Sequence, residues 1–285
     1  MNQDEKRRVA EATLCADAEY IPKVPGAGSV SLDSNGNRVQ LMHNGLRVLA
    51  DGYYGDFMTQ IIEKMKGHHE AQEEKVFHEV LKVIPPDSAM IELGAYWAYY
   101  SMWFQTAVKG GRNFMIEPAK TSIECGMKNF QINGLRGDFT QAFVGETSDA
   151  GWQQPELRKK MEDVRRVCIK DFAQARGLDR IAILHSDIQG FEYDMLRGCG
   201  DLLDQKKISF VFISTHSGKV HFQCRAHLVR KNYTVIAEHT PKESYSEDGL
   251  IVASASASAL APVEISKRPV SVRQKLKAAA FKLIT

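Results

Sequence analysis

Between residues 89 and 255, short apolar runs alternate with segments whose apolar residues recur every three or four positions. No other feature of the chain restricts its fold as tightly. The runs lie at residues 89–93, 113–116, 141–144, 181–184, 208–213, 233–238 and 250–255. Each has the length of a strand rather than a helix. The stretch after the second run places Ile123, Met127 and Phe130 on one helical face and closes near Asn133 and Gly134. Another helix is expected over roughly 220–231. Strands alternating with helices imply a mostly parallel sheet with helices on both faces, a Rossmann-like α/β fold of seven strands. The last two strands are joined by a turn at Asp248 and Gly249 with no helix between them, so one antiparallel edge strand is expected. Ligands in such sheets bind beyond the carboxyl ends of the strands.

The flanking segments divide the chain into three expected parts. Residues 1–66 form an N-terminal extension. It opens with a polar lead-in to residue 24, followed by a β-hairpin at 30–41 around the Asn35–Gly36 turn. Residues 67–260 form the main domain. Its first helix carries Val76, Phe77, Val80, Leu81 and Ile84, and Pro85–Pro86 stops it. Residues 148–162 read as a polar insertion. Residues 261–285 form a basic C-terminal helix with Val272, Leu276, Ala280 and Leu283 on one face. Such a helix either packs on the domain or makes weak contact with an anionic membrane surface through 264–285.

A formal net charge of +2 argues for no nucleic-acid partner. The five cysteines are scattered and odd in number, and none pair at C-x-x-C spacing, so reduced thiols are expected rather than a disulfide framework or a zinc site. The first twenty residues lack the apolar stretch of a signal peptide, and no run approaches the ~18 residues of a membrane span. A cytoplasmic location is therefore expected, and the oligomeric state is left open.

Three stretches concentrate the chemistry. In the first, Met90-Ile91-Glu92-Leu93-Gly94-Ala95-Tyr96-Trp97-Ala98-Tyr99-Tyr100-Ser101, a buried strand enters a small-residue turn and then a helix. Small residues admit a ligand close to the backbone, and the N–H groups of a helix start suit a carboxylate. A dinucleotide site would need glycines where Tyr96 and Ala98 stand, which argues against a dehydrogenase. In the second, Glu117-Pro118 ends the next strand about 20 residues on, where an acid accepts hydrogen bonds from two ribose hydroxyls. In the third, Asp187 ends the strand that begins at Ile181 and is followed by Ile188-Gln189-Gly190-Phe191-Glu192. An acid there can take a proton from a substrate hydroxyl, hold a divalent metal, or simply cap a helix.

Together these stretches resemble the FkbM family of methyltransferases, over roughly residues 70–255. The family pattern runs D-x-G-A-N-x-G-x-x-S, then E-P, then D-x-E-G-x-E. The resemblance implies a class I methyltransferase fold with S-adenosylmethionine as cofactor. It implies that Glu92, Gly94, Ala95, Tyr96, Ser101, Glu117, Pro118 and Asp187 form the cofactor site, with Glu117 on the ribose. The chain departs from the pattern at Glu92, Tyr96, Ala98 and Gln189. Such departures suggest an altered pocket.

Thr215-His216-Ser217, after the strand at 208–213, resembles in position the acidic pair that binds magnesium in macrocin-type sugar methyltransferases. His216 is a candidate base or metal ligand beside Asp187, or a structural histidine bonded to a loop carbonyl. Glu70 or Glu73 could reach the amino group of the cofactor's methionine, or belong to a solvated helix start. The aromatic residues Tyr96, Trp97, Tyr99, Tyr100, Trp103 and Phe104 read mainly as core, with Tyr96 and Trp97 at the pocket rim. The expected activity is O-methylation of a sugar or polyketide-like hydroxyl, with Asp187 and His216 as catalytic residues. The alternative is a binding module that kept the fold and lost catalysis, motivated by the missing glycine at 98 and the missing acid at 189.

Overall fold

The computed structural model describes residues 1–150 and 164–269. The N-terminal extension holds α1 (Gln3–Ala12), the meander β1 (Val30–Leu32), β2 (Arg38–Leu41) and β3 (Arg47–Leu49), and α2 (Asp56–Lys64). Asn2 and Glu5 form a capping box on α1, whose Val9 and Ala12 are buried. The polar lead-in expected at 1–24 therefore opens with an amphipathic helix. The strands β1 and β2 pair antiparallel as a hairpin across Asn35 and Gly36.

The main sheet begins after α3 (Ala71–Leu81). It takes in β4 (Ala89–Leu93), α4 (Tyr99–Ala107), β5 (Arg112–Glu117), α5 (Lys120–Ile132) and β6 (Asp138–Gln141). A small pair, β7 (Phe143–Val144) and β8 (Arg166–Val167), precedes α6 (Ile169–Ala175). Then come β9 (Ile181–Ser186), α7 (Glu192–Gly198), α8 (Asp201–Asp204), β10 (Ile208–Thr215), α9 (Gly218–Arg230), β11 (Thr234–His239) and β12 (Gly249–Ser254).

The order across the sheet is β11-β12-β10-β9-β4-β5-β6. Neighbours from β10 to β6 run parallel. β12 alone is antiparallel, inserted at this edge between β10 and β11. The result is the Rossmann-like, mostly parallel seven-stranded sheet that the alternation of strands and helices implies. From β4 the chain crosses first to β5 and later to β9 on the opposite side, and a crevice opens where the two crossovers diverge. Leu93 is in register with both Ile116 and Ser186. The three strands therefore finish level, and Gly94, Glu117 and Asp187 emerge side by side.

Two local expectations shift. The third sheet strand is β6, three residues before the apolar run at 141–144. That run supplies Phe143 and Val144 to β7, which peels away to pair with β8. As an edge strand, β6 needs few apolar residues. On α5, Met127 is 53% exposed, and the buried face is Ser122, Gly126, Asn129 and Phe130. A small residue is needed there because a Cβ on Gly126 would lie 2.9 Å from the Tyr96 carbonyl oxygen.

Apolar residues of the extension, among them Val9, Met42, Val48 and Ile61, share one cluster with Phe77, Trp103 and Phe212 of the main domain. A second cluster, including Phe172, Leu196 and Leu228, covers the other sheet face. A polar seam also ties the extension to α3. The buried carboxylate of Glu74 pairs with His68 and, at 2.6 Å, with His69 Nδ1. His43 stacks on His68 with ring centroids 4.1 Å apart. Burial opposes the charge on Glu74, but His68 and His69 outweigh it and hold the carboxyl well below its usual range.

At the other end, Ile265 is buried and Ser266 Oγ donates to Asp17 Oδ2 at 2.9 Å. The basic helix face at 272–283 and most of the insertion at 148–162 lie outside the described residues. No helix of the described residues is long and apolar enough to cross a membrane. All five cysteines are free thiols.

Candidate functional site

A cavity of about 240 Å³ occupies the crevice at the carboxyl ends of the parallel strands. Its lining includes Glu92, Gly94, Ala95, Tyr96, Glu117, Pro118 and Asp187, which are seven of the eight residues expected at the cofactor. Ser101 does not line it. That residue is buried in the first turn of α4, and its backbone N–H donates to Glu92 Oε2 at 2.9 Å. Glu92 thus caps the helix that follows the turn. Burial pushes its carboxyl upward, opposed by His185 and the Ser101 hydrogen bond.

Gly94 has φ +66°, and its N–H donates to the Ile116 carbonyl at 2.9 Å. A Cβ at this position would collide with the Asp187 carbonyl oxygen, so the turn closes tightly against the neighbouring strand end. Glu117 accepts from Tyr96 N at 3.3 Å and from Ala119 N at 2.9 Å. Burial raises its carboxyl, and those two N–H bonds only partly offset the shift. Each carboxylate oxygen retains a lone pair for a further donor.

Above the turn stands an aromatic wall. Tyr53, from the extension, stacks on Trp97 with centroids 4.5 Å apart and planes within 1°. Tyr96 meets Tyr53 and Tyr54 at 5.1 and 5.5 Å. Asn129 of α5 fixes the loop beneath by donating to the Trp97 carbonyl at 3.0 Å. Trp103 and Phe104, by contrast, lie in the core.

A second chamber of about 230 Å³ adjoins the first. The two share Tyr53, Tyr54, His69, Glu70, Asp187 and Gln189 on their common wall. His216 and Asp248 line the second chamber. His216 Nε2 lies 3.1 Å from Asp187 Oδ1 and 3.5 Å from Asp248 Oδ1. Its Nδ1 is 2.7 Å from Oε1 of the buried Glu192, the last acid of the third motif. Burial opposes the charge on His216, but Asp187, Glu192 and Asp248 overcome it and push the imidazolium up to about 10. Burial, reinforced by Asp187 and Glu70 and only partly offset by His216, pushes Asp248 up to about 7. One atom from each of Asp187, His216 and Asp248 lies within 4.8 Å of the others, close enough to share a cation.

The structure thus brings Asp187 and His216 together and adds Asp248, which reads in the sequence as a turn residue. Tyr53, Tyr54 and His185 were also missed. The tyrosines have no motif, and His185 stands inside an apolar strand. Glu70 reaches both chambers, while Glu73 lies beneath, paired with His185.

Residues 82–235, just over half of the chain, match the family model described as Methyltransferase FkbM domain. No curated protein matches the chain. Similar solved structures include M. capricolum TrmK in complex with S-adenosylhomocysteine. It is 14% identical, covering 63% of this chain and 67% of that one, with a TM-score of 0.38. The precorrin-6y C5,15-methyltransferase from Geobacter metallireducens is 15% identical, covering 63% and 87%, with a TM-score of 0.40. A putative SAM-dependent methyltransferase from Streptococcus mutans is 11% identical, covering 79% and 57%, with a TM-score of 0.45.

Proposed function

The chain belongs to the FkbM methyltransferase family, and from that premise we propose that it moves a methyl group from S-adenosylmethionine to a hydroxyl oxygen of a small, sugar-like or polyketide-like acceptor in the cytoplasm. The observation that carries this reading is the level finish of β4 and β5. It sets the tight turn at Gly94 beside the half-satisfied carboxylate of Glu117 in one cavity. That pairing suits an adenosyl group: the turn admits the ligand, and the acid takes ribose hydroxyls. Bound there, the cofactor would supply an electrophilic methyl, leaving the protein mainly to bind and orient.

The acceptor enters the second chamber in this proposal, so that Asp187 faces both partners. The acceptor proton passes to the Asp187–His216–Asp248 cluster. His216 is held charged to about 10 and cannot take that proton at neutral pH. Its part becomes positional: Glu192 fixes the ring, and the ring holds Asp187 in place. Asp187 and Asp248 are the proton acceptors. A divalent cation shared by this cluster would have to displace the proton on His216. Glu70, Asp187, Glu247 and Asp248 line the chamber against the cations Arg8 and His216, and this acidic excess favours a neutral or cationic acceptor over a polyanion such as nucleic acid.

Calorimetric titration with S-adenosylhomocysteine tests the assignment without knowledge of the acceptor. The wild-type chain is expected to bind, and Glu117→Ala to lose about tenfold or more, the scale of a charged hydrogen bond. No binding by the wild type would leave the binding-module reading in place of the transferase.

A further inference from the structure

The lining of the first cavity changes character across the sheet. Because the strands lie in the order β10-β9-β4-β5, Ser214, His185, Glu92 and Glu117 follow one another across the crevice, and Phe143 of β7, two residues past the end of β6, also lines it. Beyond Glu117 the wall is apolar, with Phe143 and Val144. On the other side of Glu92 it is polar. With ribose at Glu117, a base fits toward Phe143. The ligand's other arm then points at β9 and β10, two to three strand spacings or roughly 10–14 Å away.

His185 lies in that polar half. It is 3% exposed, yet lines the cavity. Its Nε2 sits 2.7 Å from Glu73 Oε1, and Ser214 Oγ donates to Glu73 Oε2 at 3.1 Å. The ring packs against Tyr100 at 4.4 Å and Phe212 at 6.0 Å. Its Nδ1 is buried and has no hydrogen-bond partner among the described residues. A buried polar atom left unpaired is costly, so a group that bonds it on binding is favoured. Burial opposes a charge on His185, but Glu73 and Glu92 outweigh it and favour the imidazolium form, in which Nδ1 is a donor in search of an acceptor. Glu70 stands on the wall shared with the second chamber and accepts from Tyr100 OH at 3.4 Å.

We propose that His185, braced by Glu73, binds the α-carboxylate of the cofactor's methionine portion, and that Glu70 binds its ammonium. This rests on the methyltransferase reading above. The carboxylate faces the imidazolium that Glu73 holds, and the ammonium faces Glu70, so each zwitterion charge meets its opposite. His185 is a positioning residue for the cofactor: it sets where the sulfonium stands relative to Asp187.

Three probes separate the contacts: S-adenosylhomocysteine, decarboxylated S-adenosylmethionine, which lacks the carboxylate, and 5′-methylthioadenosine, which lacks both charges. Each is titrated into the full chain by calorimetry. His185→Asn is expected to weaken S-adenosylhomocysteine about tenfold or more while leaving the other two unchanged. Glu70→Gln is expected to weaken both amine-bearing probes and spare 5′-methylthioadenosine. Equal loss on all three probes, or no loss on any, overturns the proposal. Failure of the wild type to bind any probe strikes the methyltransferase reading instead. Should His185→Asn not fold, Glu73→Gln removes the brace: the same selective loss supports the assignment, and an unselective one overturns it.

Discussion

Asp248 shows most clearly how burial can turn an ordinary side chain into a chemical one. In the sequence it is one half of an Asp–Gly turn, and nothing nearby marks it. In the fold it stands at the mouth of β12, facing His216 across 3.5 Å with Asp187 beyond. Pushed from 3.8 up to about 7, it is poised to accept a proton near neutral pH. A carboxyl raised on folding binds its proton more tightly in the native state, so stability falls as pH rises from about 4 to 7 while proton-accepting capacity appears. Infrared titration should therefore reveal a carboxyl with a midpoint near 7 that vanishes in Asp248→Asn. A wild-type chain whose carboxyls all titrate near 4 would remove Asp248 from the mechanism. Asp187 and His216 were legible because strand ends announce themselves in an alternating sequence. Asp248 was not, because its partner groups His216, Asp187 and Glu70 lie far from it along the chain.

At the scale of elements, the loop between β4 and α4 explains what the family departures do. Tyr96 and Ala98 stand where asparagine and glycine are usual, and both adopt left-handed backbone, with φ of 41° and 57°. The loop keeps its shape without the residues that favour it, at a cost of about 1–2 kcal/mol per position. Stacking of Tyr53 on Trp97 and the Asn129 hydrogen bond offset that strain. Gly94 is different, because backbone lies where a Cβ would go. Gly94→Ala should cost more than about 2 kcal/mol, lowering the melting temperature by roughly 4 °C or more in calorimetry. An unchanged melting temperature would show that the turn has room that the structure denies. Most strands were readable: β4 matches its apolar run, and β9 and β10 extend theirs by two polar residues each. Among those extra residues, His185 and Ser214 line the cavity, and an apolar pattern does not register them. β6 was misplaced because an edge strand needs little apolar surface. α2 was overlooked although Phe57, Met58, Ile61 and Ile62 carry helical spacing, since the aromatic and glycine run before it gives no cap signal.

For the molecule as a whole, the extension is part of the site as well as of the core. Tyr53 and Tyr54 wall both chambers, and Arg8, Ala12, Met58 and Ile61 complete the second. A sequence divided at residue 66 hides this, because long-range packing leaves no local pattern. Alternation alone predicted the sheet, and strand ends located the crevice. Chamber walls built from distant segments had to be seen folded. The central claim is that Gly94 and Glu117 hold one adenosyl ligand between them. A crystal of the full chain grown with S-adenosylhomocysteine tests it most directly. The account predicts the ribose hydroxyls within ~3 Å of the Glu117 carboxylate and the adenine against Phe143 and Val144. Ligand bound elsewhere, or a Glu117 still bonded only to Tyr96 and Ala119 beside an empty crevice, would contradict it.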